Sequence, residues 1–270
     1  VAIRSLSGRR LPAWNRALPL GAHLPPSGAG PTPADPLTVV YLPSCITRTM
    51  GPAPREDVSD GVVQRTHKLL LKAGCRIVYP ERLSDLCCGM AFDSKGFKAE
   101  GARKAAELEA ALLKASGGGR HPVLVDMSPC LLRMRDTLNP ALRLYEPAEF
   151  ILQFLAGRLR FHPLPGPVML HATCSTIRMG RTADLLKLAG MCAERVITPD
   201  EIECCGWAGD RGFTFPELNA SALAPLRKAV PPEARHGYST SRTCEIGLTL
   251  HSGIPYRSIV YLVDDATAPR

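Results

Sequence analysis

Eight of the ten cysteines in this 270-residue chain fall into a pattern that occurs twice. Cys45, Cys87, Cys88 and Cys130 come from three separated segments, and Cys174, Cys204, Cys205 and Cys244 do the same further along. A thiolate set that converges from separated loops is how a protein holds an iron-sulfur cluster or a tetrahedral zinc ion, with each sulfur about 2.3 Å from the metal. Adjacent cysteines add a constraint. Neighbouring side chains on an extended backbone point apart, so both can reach one centre only where the backbone bends, and Gly89 and Gly206 supply that bend. A cluster of several irons accommodates such a pair better than a single zinc does. The other two cysteines, Cys75 and Cys192, each stand twelve positions before a double cysteine. They are expected to pack as small apolar side chains.

The elements that must carry these cysteines repeat as well. Leu37–Leu42 and Val168–His171 are short apolar runs that lead into Pro43-Ser44-Cys45 and Ala172-Thr173-Cys174, so each is expected to be a buried strand with a cysteine just past its C-terminal end. Helical patterns follow over Val62–Lys72 and Thr182–Leu188, with Gly74 and Gly190 as expected C-terminal caps. Second strands are expected at Arg76–Tyr79 and Arg195–Ile197. The segments beginning Cys87-Cys88-Gly89 and Cys204-Cys205-Gly206 then agree in Cys, Cys, Gly, Ala, Asp, a basic residue, Gly and Phe, allowing one inserted residue. A helix is expected after each, over Lys98–Ala115 and around Leu218–Ala229, before third edges ending in Cys130 and Cys244. Alternating strands and helices predict an α/β fold of two tandem pseudo-symmetric subdomains, each a small parallel sheet flanked by helices. Ligands of such sheets lie beyond the carboxyl ends of the strands, where the pattern puts every repeated cysteine.

The expected organisation is a flexible Pro/Gly-rich linker over 1–37, a first repeat over 38–162 and a second over 163–270. The chain opens on Val1 rather than Met, which reads as a fragment or processed chain. With 45% hydrophobic and 21% charged residues, the composition excludes wholesale disorder, and no apolar run reaches the roughly 18 residues of a membrane span. No secretory signal is read at the start, so the clustered cysteines point to metal or redox chemistry in a reducing compartment. A net charge of +8 is spread over scattered residues, and no nucleic-acid partner is expected.

Weaker candidates are His171, which could ligate or tune a metal, and His251 and Asp126, which are read as structural. The glycines of 116–120 follow a helix instead of leading into one, so they form a turn and not a phosphate loop. No catalytic constellation is present.

The two Cys-Cys-Gly segments with their flanking cysteines resemble the CCG cysteine-rich domain shared by the B subunit of heterodisulfide reductase, the iron-sulfur subunit of glycolate oxidase and lactate-utilisation proteins. The segments His171–Ser175, Cys204–Phe213, Pro216–Ser221 and Tyr238–Gly247 are further similar to the C-terminal part of bacterial FAD-linked D-lactate dehydrogenases. The resemblance covers about residues 38 to 265. It implies 4Fe-4S clusters on the eight cysteines and FAD in an upstream part, with partners in the FAD-binding and ferredoxin-like parts of the same enzyme. It also implies a relay of electrons from flavin to a quinone or cytochrome, in the cytoplasm or at most peripheral to the inner membrane. The family pattern ends in Cys-x-x-Cys, whereas this chain has Met127 and Ser241 at the first of those positions. Four thiolates per repeat remain, enough for an ordinary four-iron cluster or for zinc. The alternatives are a zinc-stabilised interaction scaffold and a heterodisulfide reductase-like thiol-disulfide enzyme.

Overall fold

The computed structural model describes residues 11–23, 36–53 and 58–270. Residues 1–10 and 24–35, most of the expected linker, lie outside the described residues.

The first unit opens with β1 (Leu37–Leu42), whose β-branched and apolar residues are buried from Val39 onward. A short helix α1 (Cys45–Thr49) begins directly at the first cysteine, capped by the Ser44 hydroxyl, which accepts from the Thr47 N–H. Next, α2 (Val62–Lys72) buries Val62, Val63, Thr66, Leu69 and Leu70 on one face and stops before Gly74 at φ +70°. The chain continues through β2 (Cys75–Val78), a single-turn helix α3 (Met90–Asp93) and the long α4 (Lys98–Ser116), which Gly117 ends in a left-handed conformation. The unit closes with β3 (Val123–Val125), α5 (Ser128–Thr137), β4 (Leu144–Tyr145) and α6 (Pro147–Phe150), the last running on as a π-helical stretch over Ile151–Leu155.

After β5 (Leu159–Phe161) the second unit repeats the plan: β6 (Leu164–Leu170), α7 (Cys174–Arg178), α8 (Thr182–Cys192) and β7 (Ala193–Ile197). Three short helices follow, α9 (Arg211–Thr214), α10 (Pro216–Ala222) and α11 (Leu226–Ala229). The unit ends in β8 (Gly237–Ser239), α12 (Arg242–Ser252), β9 (Tyr256–Ser258) and α13 (Ile259–Asp265), before a final β10 (Thr267–Pro269).

Each unit is built on a four-stranded parallel sheet, in the orders β2-β1-β3-β4 and β7-β6-β8-β9, which are the same order counted within each unit. The fold class expected from the alternation is therefore observed. Besides clusters within each unit, one core cluster spans both halves, since Val39 and Tyr41 of β1 pack in it with Val168 and Leu170 of β6 and Ile259–Val263 of α13.

Four details differ from expectation. Residues 11–23 are tethered to the fold at points: Gly21 bridges Met50, the Ala13 N–H donates to the Phe213 carbonyl, and Ala17 is buried with Met169 and Trp207. Gly190 lies inside α8 and caps nothing; the helix runs to Cys192 because Leu188, Ala189 and Cys192 keep its buried stripe going. The helix expected over 218–229 is two pieces, broken before Pro225, which cannot continue a helix interior. Finally, β5 and β10 form an antiparallel pair that joins the end of the chain to the segment between the units. Among the described residues no helix is long and apolar enough to cross a membrane.

Candidate metal centre

All eight predicted cysteines lie where the strands of the two sheets end. Cys45 and Cys174 open α1 and α7 at the ends of β1 and β6, and Cys130 and Cys244 sit in the first turns of α5 and α12 beyond β3 and β8. Each double cysteine arrives on the loop after the second strand. Gly89 at φ +82° and Gly206 at φ +66° make the bend that turns both neighbouring thiols inward. A side chain at either glycine would run into the backbone of the following helix, at the Gly101 carbonyl or, at 2.5 Å, the Leu218 carbonyl.

The structure brings each quartet into contact in the same sequence. In the first unit the thiols lie close enough to act on one another in pairs, Cys45 with Cys87, Cys87 with Cys88 and Cys88 with Cys130. In the second the same pairing runs Cys174 with Cys204 and Cys204 with Cys205, and Cys205 donates to Cys244 at an S···S distance of 2.8 Å. The Gly89 N–H donates to Cys87 Sγ and the Gly206 N–H to Cys204 Sγ, both at 3.4 Å. The double cysteines are also held from behind. Arg133 Nε donates to the Cys88 carbonyl at 2.7 Å and pairs with Asp93, while Asn219 Nδ2 donates to the Cys205 carbonyl at 2.5 Å.

The first quartet has a cation that the second lacks in its place. Arg48 lines the thiol pocket with Cys45, Cys87, Cys88 and Cys130, and it ties the Ser44, Leu83 and Leu86 carbonyls together. Its counterpart after Cys174 is Ile177. In the first quartet Cys87 is the acceptor: the Cys45 and Cys88 thiols, with the Gly89 N–H and Arg48, hold it well below the ordinary thiol range. Cys45 is raised by the bond to Cys87 and by burial, and Cys88 by its bonds to Cys130 and Cys87 and by burial. In the second quartet Cys204 is raised by its bond to Cys205 and by burial. For Cys205 the Cys204 thiol acts downward, but the Cys244 thiol and burial together push it up.

Among the described residues no three or more His, Cys, Asp or Glu side chains surround a common point as ligands of one ion do. The sulfurs instead lie as rows of interacting neighbours. Sulfurs on a tetrahedral centre at 2.3 Å are about 3.8 Å apart, so the Cys205–Cys244 pair, at 2.8 Å, would have to open by about 1 Å to share one. As a set of four soft donors with inward N–H groups, each quartet fits a thiolate-bound metal.

The remaining candidates are structural. Asp126 is buried and accepts from the Tyr41 hydroxyl, the Ser44 N–H and the Thr47 hydroxyl at 2.8 to 2.9 Å. His171 is buried at the end of β6, with Nδ1 3.3 Å from Ser239 Oγ, and burial holds its ring down to about 4. It bonds to none of the cysteines in the structure. Cys75 and Cys192 are buried in the shared core, and burial raises them to about 11 and about 12. Sequence reasoning gives Arg48, Arg133 and Asn219 no role of their own, because neither an arginine on a helix nor an asparagine carries a spacing signal.

The two sites are neighbours. Lys95 and Asp210, one from each Cys-Cys-Gly loop, form an ion pair at 2.7 Å. Deeper in, the hydroxyls of Ser128, Thr173, Ser175, Thr176 and Thr240 form a buried cluster across the junction of the units, with Ser128 two residues from Cys130 and Thr173 next to Cys174. At the position where the family pattern would place a cysteine, Met127 Sδ accepts from the Arg242 N–H at 3.1 Å.

Residues 39–135 match the family described as CCG: Cysteine-rich domain. The chain thus contains a CCG cysteine-rich domain, in its first unit. It is also similar to part of a dehydrogenase: the C subunit of anaerobic glycerol-3-phosphate dehydrogenase from Escherichia coli K12 is 24% identical over 196 residues, 67% of this chain and 50% of the relative. The Escherichia coli O157:H7 protein of the same name gives the same figures. The chain spans about half the length of these curated relatives. Among solved structures, aspartate racemase from Picrophilus torridus aligns over 86% of this chain and 96% of its own, at 11% identity and a TM-score of 0.37.

Proposed function

We propose that this chain is an electron-transfer module of a multi-part dehydrogenase, made of two tandem CCG repeats that each hold an iron-sulfur cluster. The observation that carries the reading is the duplicated thiol quartet: four cysteines that interact in the same pairwise order, at the same edge of two sheets with the same strand order. Such a cluster supplies reversible one-electron storage when bound. Cys45, Cys87, Cys88 and Cys130 would hold one, and Cys174, Cys204, Cys205 and Cys244 the other. The Gly89 and Gly206 N–H groups donate to the sulfurs, which favours the thiolate form, and the buried cysteines exclude water from one side of each site. Arg48 adds positive charge beside the first quartet at a position where the second has Ile177, so the two sites differ in electrostatics there.

The similarity to part of a dehydrogenase supports the oxidoreductase setting, and the motif block over residues 171–247 favours a D-2-hydroxy acid, D-lactate, as the parent enzyme's substrate. Electrons would then pass from FAD in a separate part, through a ferredoxin-like part, to these sites and on to a quinone or cytochrome. Anaerobic titration with chemically reduced flavin tests the reading. Expected is loss of visible absorbance on reduction and its recovery on adding a soluble quinone. A colourless protein unchanged by either reagent contradicts it and favours a zinc scaffold.

A further inference from the structure

Glu146 is fully buried at the N-terminus of α6, where the fold gives its carboxylate little to bond with. Its Oε2 accepts one hydrogen bond, from Thr176 Oγ1 at 3.2 Å, and its Oε1 is buried with no partner. The charged groups that face it are taken by others. Glu149, one turn along the same helix, pairs with Arg135 of α5 at 2.6 Å and with Arg181, on the turn before α8, at 3.0 Å. Arg181 also reaches Asp184 of α8 at 3.2 Å. Asp126, beyond β3, is closed by its own three donors.

What Glu146 does have is a chain of hydroxyls. Thr176 Oγ1 lies 3.0 Å from Thr173 Oγ1 and 2.9 Å from Thr240 Oγ1, Thr173 Oγ1 lies 2.7 Å from Ser128 Oγ, and Ser175 donates to Ser128 at 2.8 Å. In the links from Ser128 to Thr173, from Thr173 to Thr176 and from Thr176 to Thr240 either oxygen can donate, so that part of the run can reverse its direction without moving a heavy atom. One end is a carboxyl with a vacant oxygen. The other flanks the first turns that carry Cys130 and Cys174, one from each quartet.

We propose that Glu146 is the proton-accepting residue of the paired thiolate sites, taking up one proton when a site gains an electron. The proposal rests on the metal reading above. Added negative charge near the hydroxyl run favours the neutral carboxyl, and by reciprocity a protonated Glu146 favours the reduced site. Per turnover, one electron comes from a reduced flavin or another low-potential donor and one proton from water. The proton forms an O–H bond on the carboxylate and is released on reoxidation. Burial already lifts the group to about 7, within the range where such uptake operates at neutral pH.

The test is redox difference infrared spectroscopy on anaerobically purified protein, dithionite-reduced minus reoxidised, with the midpoint potential followed over about pH 6 to 8. Expected on reduction is a gained carboxylic-acid band with loss of carboxylate bands, and a potential that falls as pH rises. Glu146→Gln should lose both signatures while keeping its iron. Thr176→Val, which removes the one donor to the carboxylate, should move the pH dependence upward. A potential independent of pH in iron-replete wild type, or an unchanged slope in Glu146→Gln, overturns the proposal. Iron and sulfide are counted on the same samples; their absence contradicts the metal reading itself and takes the proposal with it.

Discussion

Replacing Glu146 by glutamine should change how stability depends on pH, by an amount the structure sets. The group sits at about 7 in the folded chain against an ordinary 4.5, because burial disfavours the charged form. At about 1.4 kcal/mol for each pH unit of that gap, ionising it in place costs about 3 kcal/mol of folding stability. The sign follows from proton counting: the folded state binds the proton more tightly, so this contribution is absent below the unfolded value and grows as pH rises through 4.5 to 7. About 2 kcal/mol of it falls between about pH 5.5 and 8. Glutamine removes the titration but keeps the shape. It leaves an amide N–H₂ facing the place where Oε1 had no partner, a constant cost of about 1 to 3 kcal/mol that does not vary with pH. Urea unfolding of both proteins across that range cancels the constant, along with the contributions of Asp126 and the other shared groups. The variant should gain about 2 kcal/mol relative to wild type from the low end to the high end, with the difference levelling above about pH 7.5. Parallel stability curves would refute the argument that Glu146 is held uncompensated in the interior.

Five further substitutions probe the thiol sites. Cys87→Ser and Cys204→Ser should each remove about half of the bound iron and the double variant nearly all of it, measured by metal analysis; total loss from one single variant would mean one shared site. Gly206→Ala puts a methyl group against the Leu218 carbonyl at a backbone angle of +66°, so thermal unfolding should show a loss of about 2 to 4 kcal/mol together with reduced iron in the second site. Asn219→Ala leaves the buried Cys205 carbonyl without its 2.5 Å donor, with an expected cost of about 1 to 3 kcal/mol in urea unfolding, whereas Lys95→Ala, which breaks a half-exposed ion pair, should cost under about 1 kcal/mol in the same assay.

The elements that carry the cysteines were legible because their signals are local. The apolar stripe of Val62–Lys72 coincides with α2 residue for residue, and the alternation of strands and helices yields two sheets of like order. Cysteine positions were legible because a duplicated thiol pattern is rare. What escaped depends on contacts far apart in the chain. Leu159–Phe161 and Thr267–Pro269 are too short to show a period and pair only because the segment between the units meets the one that follows α13. Residues 11–23 read as linker by composition, yet they lie across Phe213 and Pro52 through backbone hydrogen bonds to which composition is blind. The strand read from Val168 starts four residues earlier, through Pro165 and Pro167, where a register shift in the β6–β7 pairing accommodates them. Ser128, Thr173, Thr176, Thr240 and Glu146 come from separate segments, and nothing in their spacing announces that their oxygens meet.

The central claim, that the two quartets hold iron-sulfur clusters, is tested most directly by iron, zinc and acid-labile sulfide analysis of protein purified without oxygen, with a visible spectrum before and after dithionite. The account predicts iron and sulfide in near-equal amounts, about four of each per loaded quartet, and broad visible absorbance that bleaches on reduction. Zinc without sulfide in a colourless protein would contradict it.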